Sequence, residues 1–269
     1  GCGAFDPKCN DPAAPFYNSC PAGTSPDIYT GACNTTGGKY LIKINGMCST
    51  HWNESNDGGY RDVTKTGYTT IDIWNNMRDD IPRTRKTISA ALDRYCGGGN
   101  QCIIINFSAG DAAVGYALAM TGSYNAGKRW PGIISIHTLG GASGGSNLGI
   151  DGICEIMACG MCGTLGKTDI RNLWDHNIYG NAGITNYRTG GHGHFWPWDW
   201  SSAALLAGSA ICAGEDDGAV GFDSAGGCTS SSGRDDMNCG KFSGMTTWGS
   251  ADGHGKYHYQ IKWEYSKVG

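Results

Sequence analysis

The chain has 269 residues, of which 39% are hydrophobic, 45 are glycine and 13 are cysteine, and it carries a formal net charge of −4 with a pI near 5.9. That length can bury a large core and fits one domain with elaborated loops. With this mild acidity, nothing in the composition suggests an electrostatic surface for nucleic acid or an anionic membrane. The longest apolar runs are far too short to span a bilayer, and with no signal peptide visible the chain reads as a mature or trimmed product.

Residues 1–38 are rich in Pro, Gly, Asn and Cys and read as an irregular, cross-linked N-terminal segment packed on a main domain of 39–269. "KYLIKING" (39–46) is a short strand-like run closed by Asn45-Gly46, and "YTTIDIW" (68–74) is a second. Over 79–96, Ile81, Ile88, Ala91, Leu92 and Tyr95 fall at helical spacing, with Pro82 near the start. "GGGN" ends that helix, and "CIIINF" (102–107) is the third strand. Its continuous apolar run suits a parallel sheet covered on both faces. A helix over 109–120 and a strand over 132–139 follow directly. Residues 140–200 are Gly-rich and irregular, a candidate cap or lid, and end in the aromatic cluster "GHGHFWPWDW". Beyond them come a helix at 201–212, a short strand at 218–222 and a Cys/Ser/Gly-rich insertion. A last strand is expected at 256–264, where Tyr257, Tyr259, Ile261 and Trp263 alternate. Strands alternating with helices define an α/β protein with a mostly parallel sheet and helices on its faces.

The 13 cysteines are scattered through loops and element ends, as disulfides in an oxidising compartment would be. Their odd number leaves at least one thiol unpaired or bonded to another chain. "CEIMACGMC" (Cys154, Cys159, Cys162) has soft-metal ligands but no obvious fourth, and disulfides are the preferred reading. Cys2 is read as an ordinary disulfide cysteine, with a lipid-anchored cysteine as the alternative. The expected location is extracellular.

One turn carries the chemistry. In "CIIINFSAGDAAVGYAL" (102–118) a buried strand runs into a helix through Asn106-Phe107-Ser108-Ala109-Gly110. A serine hydroxyl needs a histidine to take its proton and a carboxylate to orient that histidine. A strand-to-helix turn lifts the hydroxyl clear of the sheet and sets helix N-terminal amides where an oxyanion forms. This stretch resembles the nucleophile turn of the α/β-hydrolase family, and of its lipases and esterases in particular. Of that family's G-x-S-x-G pattern, Gly110 is present and Asn106 stands at the first position. As a packing element alone, Ser108 would be a small residue permitting tight strand-helix contact.

The resemblance extends through short motifs from about residue 39 to 258. "LIKINGMC" resembles the family's first central strand and oxyanion loop, which implies the backbone N–H groups of Met47 and Ala109 as oxyanion donors. "IHTLGGASGGS" (136–146) resembles the strand and loop after the nucleophile helix in lipases. "GEDDGAVGF" (214–222) resembles their acid loop, which implies Asp217 as the carboxylate, with Asp216 as fallback. The family order is serine, acid, histidine, and only His254 and His258 follow Asp217. His254, among small residues in "SADGHGKYHY", is the implied base; His258 reads as a strand residue.

Asp216 and Asp217 also have the oxygen chemistry of a structural calcium site, without a recognisable loop pattern. His192 and His194 form a lone His-x-His, a weak metal signal, so no metal site and no cofactor is assigned. Trp196 and Trp198, with Trp200, suit the wall of an apolar acyl or polymer site, or plain core packing. Cys48, beside the oxyanion loop, is read as a disulfide cysteine. The sequence thus predicts a secreted serine hydrolase acting on a lipid or other acyl ester. The alternatives are a polyester (polyhydroxyalkanoate-type) depolymerase with the same triad, or a non-catalytic binding module on a hydrolase scaffold.

Overall fold

Three successive isoleucines are stiff at χ1 and favour extended backbone. They form the centre of strand β5, Gln101–Phe107, which is buried at every position after Gln101. In the computed structural model the described residues are 25–26, 33–34, 37–47, 49, 52, 62–73, 79–97, 99–120, 129–146, 161–173, 184–190, 220, 258 and 261–262. Before β5 come a two-residue antiparallel pair, β1 (Ser25–Pro26) and β2 (Cys33–Asn34), then β3 (Lys39–Ile44), β4 (Thr69–Asp72) and helix α1 (Ile81–Cys96). After it come helix α2 (Ala109–Ala119), β6 (Ile133–Leu139), helix α3 (Lys167–Leu173) and β7 (Thr185–Thr189).

β4-β3-β5-β6-β7 is the strand order of one sheet, and every neighbouring pair is parallel. This order fixes where the helices lie. The chain steps rightward from β4 past β3 to β5, then to β6 and β7, and right-handed crossovers put all three connections on the same face. Accordingly Ile88 and Leu92 of α1, Val114 and Leu118 of α2, and Ile170 of α3 share one core with Ile42, Ile44, Ile104 and Ile136. The alternate side chains Leu41, Ile103, Ile105, Phe107 and Leu139 enter a second core on the opposite face, with Trp52, Val63 and Ile261. The α/β architecture with a parallel sheet is as the sequence predicts.

Local chemistry sets the element ends. Asp80 caps α1 by accepting the Arg83 N–H at 2.8 Å, and Pro82 sits where the helix has no N–H to lose. A disulfide joins Cys96 at the end of α1 to Cys102 at the start of β5. Cys162 is also disulfide-bonded, which removes it from the soft-metal reading of the 154–162 cluster. Helix α2 is buried from Ala109 to Leu118, as suits a helix packed against both the sheet and α1.

Two expectations need correction. Residues 185–189, inside the stretch read as irregular, form the fifth strand of the sheet, β7. Its short run TNYRT has no apolar alternation, because it buries Asn186 and Arg188 rather than hydrocarbon. The expected last strand at 256–264 is also wrong: His258, Ile261 and Lys262 are helical. The alternation of aromatic residues concealed a second pattern, i, i+3, i+4, and those three side chains are buried. Of the run read as a strand at 218–222, Val220 is described; it lies in a bend with its side chain in the core.

Arg188 reaches from β7 to Asp111 on α2 and pairs with it through both guanidinium ends, Nη1 to Oδ1 at 2.9 Å. Both side chains are essentially inaccessible to water. Removing one partner of such a pair strands the other charge, at a cost of about 3–5 kcal/mol. Arg188→Met is therefore expected to lower unfolding free energy by about that amount in urea titrations.

On β6, His137 stacks on Tyr187 at 5.0 Å and its Nε2 lies 3.1 Å from Ser135 Oγ. Burial first, then the Lys65 ammonium, pushes the imidazole from an ordinary 6.5 down to about 4. The folded chain thus holds the ring neutral while the unfolded chain protonates it. Its contribution is complete above about pH 6.5 and is lost as pH falls towards 4. Urea midpoints should fall less steeply across that window in His137→Gln than in the wild type.

Candidate active site

In an open parallel sheet, ligands bind outside the carboxyl ends of strands where the chain's direction of travel reverses. Here that point lies between β3, which connects outward to β4, and β5, which begins the run to β6 and β7. The register pairs Ile44 with Asn106, so Asn45 and Gly46 lie beside Phe107 and Ser108. The predicted oxyanion loop and the predicted nucleophile are therefore brought together at the switch point.

Ser108 has φ 54° and ψ −126°, and it is the sole non-glycine residue at positive φ among the described residues. Such a conformation costs about 1–3 kcal/mol and persists where the surroundings over-determine it. Those surroundings are visible. The Ser108 N–H donates to the Leu139 carbonyl at 3.0 Å, and its own carbonyl accepts from the N–H groups of Asp111 and Ala142, each at 3.1 Å. A Cβ on Gly46 would stand 2.9 Å from Ser108 Cβ, and one on Gly110 would stand 2.5 Å from the Asn45 carbonyl oxygen. Both contacts exclude any side chain, so two glycines let β3, the turn and α2 close upon one another. The Ser108 hydroxyl makes no cap bond to its helix.

Ala109 is the first residue of α2, where an N–H has no intrahelical acceptor. Neither its N–H nor that of Met47 has a hydrogen-bond acceptor among the described residues. Ala109 adjoins Ser108 in sequence, and Met47 follows Gly46, whose Cβ position lies 2.9 Å from Ser108 Cβ. Among the described residues no group of three or more His, Cys, Asp or Glu side chains could hold a metal ion.

His258, the second candidate base, stacks against Phe107 with ring centroids 4.6 Å apart. Its side chain is buried. Asp216, Asp217, His254, Trp196, Trp198, Trp200, His192, His194 and Cys48 lie outside the described residues.

The structure also brings in residues that the sequence reading passed over. Lys262 Nζ donates to Asn45 Oδ1 at 2.8 Å and to the Trp52 carbonyl at 2.9 Å. Ser49 Oγ donates to the Gly46 carbonyl. Spacing held a signal for Lys262, which lies four residues beyond His258, on the same helical face.

No protein-family profile and no curated protein sequence matches the chain. Solved structures do resemble it. The mature form of the Bacillus licheniformis lipase BlEst2 superposes with a TM-score of 0.56 at 18% identity, over 83% of this chain and 86% of that one. The metagenomic carboxyl esterase MGS0156 gives 0.52 at 20% identity, over 73% and 64%. Phospholipase PlaB from Legionella pneumophila gives 0.50 at 13% identity, over 70% of this chain and 44% of that longer one. At these identities the likeness establishes the fold, which is α/β-hydrolase-like.

The strained turn has a thermodynamic signature. Glycine relieves about 1–3 kcal/mol of backbone strain at such φ and ψ and gives back up to ~1 kcal/mol in unfolded-chain entropy. Ser108→Gly should therefore unfold at higher denaturant than Ser108→Ala, with a difference of about 1 kcal/mol.

Proposed function

We propose that the chain is a carboxylic ester hydrolase that works through a covalent acyl-serine intermediate on Ser108. The observation that carries this reading is the strained Ser108 at the switch point, at the start of α2 and against Gly46 of the loop after β3. The solved structures of similar fold, named as a lipase, a carboxyl esterase and a phospholipase, support it.

In this mechanism Ser108 Oγ attacks the ester carbonyl as His254 takes its proton. The carbonyl oxygen becomes an anion and is bound by the N–H groups of Met47 and Ala109, each worth about 2.7–4 kcal/mol of barrier. The imidazolium is held and oriented by Asp217 and returns its proton to the departing alcohol. Water, activated by the same histidine, then releases the acid. Every step uses groups of the chain and water, with no organic cofactor. Trp196 and Trp198 supply apolar wall for the acyl portion of a lipid or similar ester. Disulfide bonding at Cys96, Cys102 and Cys162 fits an oxidising, extracellular setting.

Treatment with a fluorophosphonate, followed by intact-mass analysis and peptide mapping, tests the nucleophile. A single adduct on Ser108, absent from Ser108→Ala, is expected; a folded, oxidised sample that takes no adduct would refute the reading in favour of a binding module. The same preparation assigns the base. His254→Ala should lower kcat for a p-nitrophenyl ester by about 10⁴-fold or more, whereas His258→Phe, which keeps a ring against Phe107, should lower it far less.

A further inference from the structure

The loop that follows β3 is held at more points than a surface connection requires. A single ammonium, on Lys262, bonds both to Asn45 at its start and to Trp52 seven residues further on, 217 and 210 residues away in sequence. The same Nζ lies 4.7 Å from the centre of the Trp52 ring and 5.2 Å from that of Phe107. The Trp52 N–H is tied in turn to the Asp72 carboxylate at the end of β4, at 3.0 and 3.1 Å. Inside the loop, Ser49 donates to the Gly46 carbonyl, a bond buried from water.

Peptide planarity turns these bonds into a statement about Met47. In a trans peptide the carbonyl of one residue and the N–H of the next point in opposite directions. Fixing the Gly46 carbonyl through Ser49 therefore fixes the Met47 N–H, the one proposed to bind the oxyanion. Lys262 fixes the preceding residue, so the peptide is held from both sides. Stability alone does not account for an ammonium there, since a buried ion is often replaceable by hydrocarbon at little or no loss. An oxyanion donor differs, because its contribution depends on being aimed before charge develops.

We infer that Ser49 and Lys262 are positioning residues of the oxyanion loop, acting on the transition state through the aim of the Met47 N–H. This rests on the ester-hydrolase reading above. Lys262 also joins the loop to the C-terminal helical residues, whose His258 packs on Phe107, four residues after His254.

The test compares wild type, Ser49→Ala, Ser49→Thr and Lys262→Met. Its readouts are kcat and KM on p-nitrophenyl butyrate, the Kd of an alkyl trifluoromethyl ketone, and thermal midpoint. The ketone adds to the serine and presents an oxyanion, so its affinity follows transition-state stabilisation, while KM does not. For Ser49→Ala and Lys262→Met, kcat should fall about tenfold or more, with ketone affinity falling in parallel and KM little changed. Ser49→Thr, which keeps the hydroxyl, should recover most of both. Variants that fold, take the fluorophosphonate and keep kcat and ketone affinity within about twofold of wild type would overturn the inference, as would a loss confined to KM. If Lys262→Met fails to fold, Ser49→Ala, which removes one oxygen, decides alone. A wild type that takes no adduct on Ser108 would instead sink the hydrolase reading itself.

Discussion

Everything in the site depends on a steric constraint: β5 must end and α2 begin within one residue. The backbone of Ser108 absorbs that reversal at φ 54°, in a conformation an L-residue adopts only when its neighbours forbid the alternatives. The neighbours do so from three sides. Gly46 on the β3 side leaves no room for a methyl group, Gly110 brings α2 against the carbonyls of Ile44 and Asn45, and the end of β6 and the loop after it tie the N–H and the carbonyl of Ser108. Because the sheet is parallel, these elements all end at the same edge. The Ser108 turn, the loop after β3 and the loop after β6 therefore meet without any long excursion of chain.

The same geometry explains why Asn106 can occupy a position where the resembled family usually has glycine. That glycine would make room between strand and helix. Strand alternation sends the Asn106 side chain to the helix-bearing face, with Ile104. The room there comes from the helix instead: Gly110, Ala112, Ala113 and Ala117 are small and buried. Asn106 is fully buried, and its amide has no hydrogen-bond partner among the described residues. A group in that state costs about 1–3 kcal/mol. The fold tolerates this cost at the base of a turn that already stores strain, which is where local rules are expected to be broken.

How much of this was legible in the sequence follows from which interactions are local. The continuous apolar run at 102–107, the helical spacing over 81–96 and the abrupt strand-to-helix join at Ser108 are all encoded within a dozen residues, and each predicted element appears in place. β7 was not legible because it buries Asn186 and Arg188, whose partners Thr138 and Asp111 come from β6 and α2. Hydrophobic periodicity cannot report a strand whose inward side chains are polar. The C-terminal helical residues were misread for a related reason. Two patterns coexist in Tyr257–Trp263, and only the packing of His258 and Ile261 against the second core selects the helical one. The loop after β3 could be read from the Asn45-Gly46 motif, but its tie to Lys262 could not, since those bonds span more than 200 residues.

The Asp111–Arg188 pair also bears on the chemistry. Asp111 stands three residues after Ser108, in the first turn of α2, where the helix presents the positive end of its dipole. A carboxylate there stabilises a helix, but the same charge opposes an oxyanion forming at the helix start. The bidentate guanidinium of Arg188 and the Ser143 N–H, at 3.0 Å, engage both carboxylate oxygens from the side of β7 and the loop after β6. Asp111 can then tether the loop that binds the Ser108 carbonyl without presenting a naked negative charge to the turn. The N-terminal amides of α2 keep their positive potential. A strand that looks featureless in sequence thereby acts on the electrostatics of a turn two strands away.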